Sequence, residues 1–217
     1  MQSAAGAPHC LPNFGWEWHQ AFTIDENYMD LAILTSRNST CLEGHMGCTL
    51  VQHVPHDAHQ RTKTLTDKHK PIICAINSPM FKAYSSDCHA EANAVAECAK
   101  RGIKAEGLCC YVSKIPCENC FKLLSSAGIR RIVAPQSGFP EKIAQVAEKV
   151  GITYVQVRDS PEREERRDRI ARPHMDYDRV RALREERKVL AGERKKTKRE
   201  QKMIAQSNRE GEIGIGL

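Results

Sequence analysis

Three short apolar runs in the second half of the chain, LCCYVS (108–113), IRRIVA (129–134) and ITYVQV (152–157), limit the fold more than any other feature. Each is the length of one strand, and the stretches between them are long enough for one helix apiece. Strands joined through a helix lie parallel, because the crossover carries the chain back to the edge it started from. The intervening stretches carry matching helix signals. Pro116 suits a first helical position, where its missing N–H needs no partner, and Gly128 suits the residue just past a helix end. A second helix is expected over 140–150. This half of the chain therefore commits to an α/β architecture.

The first half supplies the rest of the sheet. Asp25 is a candidate N-cap for a helix through Tyr28, Leu31, Ala32 and Leu34. Residues 46–52 (MGCTLVQ) and 71–77 (PIICAIN) read as buried strands, joined by a polar loop over 53–70. Ser86 or Asp87 then caps a helix running to Arg101, with Gly102 as its stop. The expected order is helix, strand, strand, helix, strand, helix, strand, helix, strand. No apolar run approaches the ~18 residues a membrane span needs. The first sixteen residues show neither a basic start with an apolar stretch nor an Arg-rich amphipathic pattern, so a cytoplasmic protein without a leader is expected.

Charge divides the chain. The formal net charge is +6, but residues 158–217 hold 18 Lys/Arg against 13 Asp/Glu, and the remainder is nearly neutral. Apolar residues are sparse in that tail and Pro161 and Pro173 punctuate it, so it reads as a solvated helix laced with salt bridges. The expected organisation is an N-terminal extension over 1–23, one α/β domain over 24–157 and a basic tail over 158–217.

The chain has ten cysteines. Disulfide frameworks belong to small secreted domains, so most of these cysteines are expected to be reduced. Cys48, Cys74, Cys109 and Cys110 lie in apolar runs, where a thiol behaves as a small buried hydrophobe. Cys117 and Cys120 differ, since their surroundings are polar and their spacing is that of metal ligands. On a helix start they share a face, and the partial positive charge there favours thiolates. The imidazole of His89 would make a third ligand, with a fourth position open for water, as in catalytic zinc sites. Glu91, two residues on, could move a proton between that water and a leaving nitrogen. His89 and Glu91 can converge only where a helix begins, because two helical residues that far apart diverge by ~200°.

An H-x-E followed by P-C-x-x-C is the signature of zinc nucleobase deaminases. The stretch CHAEANAVAECAKRGIKAEGLCCYVSKIPCENCFKLLSSAGIRRIVA resembles the core of deoxycytidylate deaminases, within the wider cytidine deaminase superfamily. C-H-A-E-x-N-A at 88–94, P-C-x-x-C-x-K-L at 116–123 and A-G-I at 127–129 carry that resemblance. It covers 25–157, most strongly 88–134. It implies a three-layer α/β/α sandwich around a five-stranded mixed sheet, with strands four and five parallel. It also implies zinc on His89, Cys117 and Cys120, with Glu91 as proton shuttle. Asn77, in Ala75-Ile76-Asn77-Ser78-Pro79, matches a substrate-contacting Asn. The expected reaction is conversion of a cytosine nucleotide, dCMP first, to dUMP and ammonia by a homo-oligomer. Only eleven residues separate Asn77 from His89, which is nearer the spacing of tRNA deaminases. Two other readings stand beside this one. One is editing of a base in tRNA or DNA, with the basic tail on the phosphates. The other is a non-catalytic deaminase-like subunit, which would have no use for an intact Glu91.

Some features sit outside this constellation. His53, His56 and His59, or Cys41, His45 and Cys48, could hold a second metal, against polar loop and core packing as the plainer expectations. Phe81 and Tyr84 could stack on a base at the pocket mouth. The run over 194–199 resembles a nuclear-import or nucleic-acid patch on a helix otherwise read as solvated.

Overall fold

Helix and strand alternate in the order the sequence predicts: α1 (Ile24–Ser36), β1 (Gly47–Val51), β2 (Pro71–Ile76), α2 (Ala90–Lys100), β3 (Cys109–Val112), α3 (Glu118–Ser126), β4 (Arg131–Pro135), α4 (Glu141–Lys149) and β5 (Thr153–Val157). A further helix, α5 (Pro161–Ala171), follows. The computed structural model describes residues 11, 13–41, 44–52, 71–81, 85–137 and 141–174, and scattered positions between 182 and 203. The loop over 53–70, with His53, His56 and His59, lies outside the described residues, as do Tyr84 and most of the basic run over 194–199.

The five strands form one sheet in the order β2-β1-β3-β4-β5. β1 is antiparallel to β2 and β3, while β3, β4 and β5 are mutually parallel through the α3 and α4 crossovers. Side chains alternate between the two faces of the sheet. Cys48, Leu50, Cys110, Val112, Ile132 and Ala134 pack against Ala94 and Cys98 of α2, Phe121 and Leu124 of α3, and Ile143 and Ala147 of α4. Each fully buried Leu or Ile in this layer contributes ~1.5–3 kcal/mol. The opposite face meets α1. There Asp25 takes a bidentate pair from Arg131 at 2.6 Å each and the Tyr111 hydroxyl at 2.8 Å. The result is the expected three-layer sandwich.

Helix ends depart from expectation in one consistent way. Thr23, not Asp25, caps α1, in a capping box with Glu26. The signal is local, a Thr followed three residues later by a Glu. Asp25 is free to turn inward and pair with Arg131. α2 begins one residue after His89 and α3 one after Cys117, so neither Ser86, Asp87 nor Pro116 holds the expected role. The stops hold: Gly128 has φ +80° and its N–H meets the Ser125 carbonyl at 3.0 Å, while Ile129 N–H meets Leu124 at 3.1 Å, a Schellman end.

The charged stretch after Val157 does not separate from the sandwich where its composition changes. The compact unit runs to His174 and includes α5, and residues 175–217 form a second unit. α5 docks through charge: Arg163 and Arg167, both buried, reach Asp30 of α1, which is wholly enclosed. Asp30 Oδ1 accepts from Arg163 Nη2 at 2.7 Å, Arg163 Nε at 3.1 Å and Arg167 Nη1 at 2.6 Å. Residues before 24 also join this layer: Trp16 stacks on Tyr28, and Phe22 is buried beneath Arg166. α1 is therefore covered on both sides, which accounts for apolar residues all round it. In the second unit, every described position between 182 and 203 is helical, and all but Glu186 are exposed. Among the described residues no helix is long and apolar enough to cross a membrane.

Gly47 sits where the end of α1 crosses β1. A Cβ there would lie 2.2 Å from the Ala32 carbonyl oxygen and 2.7 Å from the Ser36 nitrogen, both backbone atoms. Gly47→Ala is expected to destabilise the domain by about 1–3 kcal/mol, read as a lowered urea midpoint with unchanged slope.

Candidate active site

Two helix starts meet at one point beside the sheet. An antiparallel bridge between Ser78 and Cys88, with bonds of 2.9 and 3.0 Å, delivers the chain to His89. His89 is the N-cap of α2 with extended backbone (φ −74°, ψ 153°), and Cys117 is the N-cap of α3 with nearly the same angles (φ −72°, ψ 166°). Neither side chain caps its own helix, so both face the point where the two helices begin. Cys120 lies three residues into α3. His89 Nδ1 is 3.2 Å from Cys120 Sγ and 3.6 Å from Cys117 Sγ.

Among the described residues this is the one group of three His, Cys, Asp or Glu placed to hold a metal ion, with its ligand atoms all within 4.8 Å of one another. Zinc bonds of ~2.3 Å to sulfur and ~2.0–2.1 Å to nitrogen, at a tetrahedral angle, give an N···S edge of ~3.6 Å. The observed edges therefore fit a zinc ion. Burial pushes the Cys120 thiol up from its ordinary value, and Glu91 pushes it further. A bound cation reverses that balance, because a coordinating thiol is deprotonated outright. The positive ends of α2 and α3 act in the same direction.

Glu91 is in the first turn of α2, only 5% exposed, and close enough to Cys120 to push its thiol up. Because His89 precedes the helix and has extended angles, the two side chains escape the divergence of helical neighbours. Glu91 and His89 line a cavity of about 140 Å³ with Cys117, Met46, Gly47, Val112, Lys114 and Ile115. The space between them can take a small planar molecule against a metal-capable group and a buried carboxylate.

The structure thus brings together His89, Glu91, Cys117 and Cys120. It does not bring Asn77 into the cavity wall. Asn77 is buried, its Nδ2 donates to Gly44 (2.7 Å) and Ser86 (2.9 Å), and its Oδ1 accepts from Met46 N–H (2.9 Å). It clasps the loop that carries Met46 to the cavity. Asn93 does similar work: it donates to the Ile76 carbonyl at 2.7 Å and accepts from Cys88 Sγ at 3.0 Å. Cys88 is thereby turned away from the metal group. The pattern Cys41, His45, Cys48 does not close on a point, since Cys41 Sγ meets the Ser85 carbonyl and Cys48 Sγ meets Cys110 Sγ. Phe81 is 86% exposed.

Lys114, Met46 and Gly47 are cavity residues that the sequence reading passed over. Position alone could have flagged Lys114, which stands between a strand end and a helix start that carries a metal-type cysteine.

The family described as cytidine and deoxycytidylate deaminase zinc-binding region matches residues 22–136. The chain is 36% identical over 70 residues to ComE operon protein 2 of Bacillus subtilis (strain 168), a match covering 32% of this chain and 37% of that protein. It is also similar to the structure of dCMP deaminase from the cyanophage S-TIM5 in complex with dCMP and dUMP, with 20% identity, a TM-score of 0.48, and 62% of this chain and 96% of that chain covered. A diaminohydroxyphosphoribosylaminopyrimidine deaminase/5-amino-6-(5-phosphoribosylamino)uracil reductase from Thermotoga maritima aligns with 18% identity and a TM-score of 0.46, over 68% of this chain and 39% of that one.

Proposed function

Since the chain belongs to the cytidine and deoxycytidylate deaminase zinc-binding family, we propose that it is a zinc-dependent hydrolytic deaminase of a cytosine nucleotide, with dCMP as the first substrate. The observation that carries this reading is a buried Glu91 in the same small cavity as a His89, Cys117, Cys120 group of zinc-like dimensions. Those three residues hold the metal in this reading. Zinc there supplies the Lewis acidity that makes water a nucleophile at neutral pH.

The protein's own contribution is placement and proton transfer. The apolar wall of Met46, Val112 and Ile115 admits a flat ring and limits water around it. Glu91 takes a proton from the attacking water and passes protons to ring N3 and to the departing nitrogen. The oxygen joins C4, the C4–N bond breaks, and ammonia leaves with the uracil product. A structural zinc site would instead use four protein ligands. Here the near fourth candidate, Cys88, is held by Asn93.

The test is a deamination panel of dCMP, CMP, deoxycytidine, cytosine DNA and tRNA on the full chain, with metal analysis. A form ending at His174 keeps α5 and its clasp on Asp30, so it isolates the tail. Turnover of free nucleotide by both forms is expected. Turnover of polynucleotide alone, lost with 175–217, would replace this reading by base editing. Cys117→Ser separates the metal role from the fold. Ser is a favoured N-cap, worth about 0.5–2 kcal/mol over Ala, so helix α3 is expected to persist in chelator by circular dichroism. Bound zinc and turnover are expected to be lost together in this variant.

A further inference from the structure

The cavity is small, about 140 Å³. In the deaminase reading the reacting ring lies in it against the metal group, which puts the sugar and any phosphate of a bound nucleotide toward the rim. The groups that choose between a base, a nucleoside and a nucleotide are therefore rim groups.

The charge of the cavity makes that choice sharp. Glu91, Cys117 and Cys120 bring negative charge, and a cation held between them at best balances it. A phosphate entering above this floor gains nothing from it.

Lys114 is the one basic residue among the described cavity-lining residues, and it is exposed. Several surface cations in this half of the domain are engaged, Lys100 and Arg101 with Glu97, Lys104 with Glu106, and Lys142 with Glu118, and none of these lines the cavity. Lys114 has no ion-pair partner among the described residues. Its backbone is fixed on both sides. Ser113 N–H donates to the Gly47 carbonyl at 2.9 Å, Ser113 Oγ accepts from Gly47 N–H at 2.8 Å, and Pro116 is buried ahead of the Cys117 cap. A lysine stem can line an apolar wall while its ammonium stays at the solvent edge. Lys114 both lines the cavity and is exposed, so its ammonium can reach that edge.

We propose that Lys114 is the phosphate-recognition residue of this site, selecting substrates that carry a phosphate next to the cytosine nucleoside. This rests on the deaminase reading above and supplies its substrate class. The same ammonium would serve a nucleotide monoester or a polynucleotide diester, and the test distinguishes them.

The experiment compares the zinc-loaded full-length wild type with Lys114→Met, which keeps most of the stem, and Lys114→Arg, which keeps the charge. kcat/KM is measured for dCMP, deoxycytidine and a short cytosine oligonucleotide. Binding of dUMP and deoxyuridine is measured by calorimetry. Lys114→Met is expected to lower the dCMP-to-deoxycytidine ratio of kcat/KM roughly 10–100-fold, the range of a lost charge-assisted hydrogen bond. dUMP affinity should fall in parallel, with deoxyuridine as the reference. Lys114→Arg is expected to recover most of the ratio. If the ratio drops for the oligonucleotide and not for dCMP, the phosphate is that of a polynucleotide. An unchanged ratio for both, or an equal fall on deoxycytidine, overturns the assignment. If wild type turns over none of the three, the deaminase reading fails. Lys114 is then judged on dUMP against deoxyuridine binding, where no difference between wild type and Lys114→Met overturns it.

Discussion

Glu91→Gln is expected to lower turnover roughly 10²–10⁴-fold while leaving bound zinc at the wild-type level. Gln keeps the shape of the side chain beside Cys120, but it cannot carry a proton. Because Glu91 is nearly enclosed, bulk water has little access to do that work in its place. Loss of a negative charge from the first turn of α2 costs only about 0.3–1 kcal/mol of helix stability, so the protein should stay folded. The deficit should appear in kcat at saturating substrate, since the transferred proton belongs to the transition state. Activity within tenfold of wild type would remove Glu91 from the chemistry. A parallel loss of zinc would instead make it a positioning residue for Cys120.

Asp30→Ala is expected to be the most destabilising single change in the domain, by about 3–5 kcal/mol. Asp30 is fully enclosed and receives three hydrogen bonds from Arg163 and Arg167, with Arg166 Nη1 3.8 Å from its other oxygen. Removing it leaves three guanidiniums in the α1–α5 layer, with Asp159, which pairs with Arg167 at 2.5 Å, and the charge of Glu17 near Arg166 as partial compensation. Breaking a buried pair from one side costs far more than the pair is worth, because a desolvated charge is stranded. For a domain of this size the loss should lower Tm by about 2–4 °C per kcal/mol. Differential scanning calorimetry checks this, and a shift below 2 °C would show that α5 is not held by this clasp. Zinc content at 25 °C should be unaffected in the folded fraction, since α1 and α5 lie across the sheet from α2 and α3.

The two predictions fall on residues that the sequence treats very differently. Glu91 was legible because it stands two residues from His89 and within a β–α unit of Cys117 and Cys120, a short-range pattern tied to helix starts. Asp30 was not legible. Its main partner, Arg163, is 133 residues away, and α5 has almost no apolar period to announce a buried face. Sequence reading assigns burial through hydrophobic periodicity, and a helix that docks through guanidiniums is invisible to it. The boundary expected at Val157 follows the drop in apolar content, whereas the packed unit ends at His174.

Site geometry shows the same division on a smaller scale. Asn77 is where the motif puts it, but its amide is spent on Gly44, Met46 and Ser86. Lys114 belongs to no motif, and only the fold puts it on the cavity wall beside Glu91.

The sequence by itself determined the order of the elements, the parallel arrangement of the last three strands and the four residues that meet at the helix starts. Each of these depends on spacing between near neighbours, which periodicity and helix geometry express directly. Only the tertiary structure decided that His89 and Cys117 sit as N-caps with extended backbones, that α5 belongs to the body, and that Lys114 lines the cavity with no ion-pair partner among the described residues. Those facts depend on which distant segments come into contact, and a buried charge or a rim cation leaves no periodic trace along the chain.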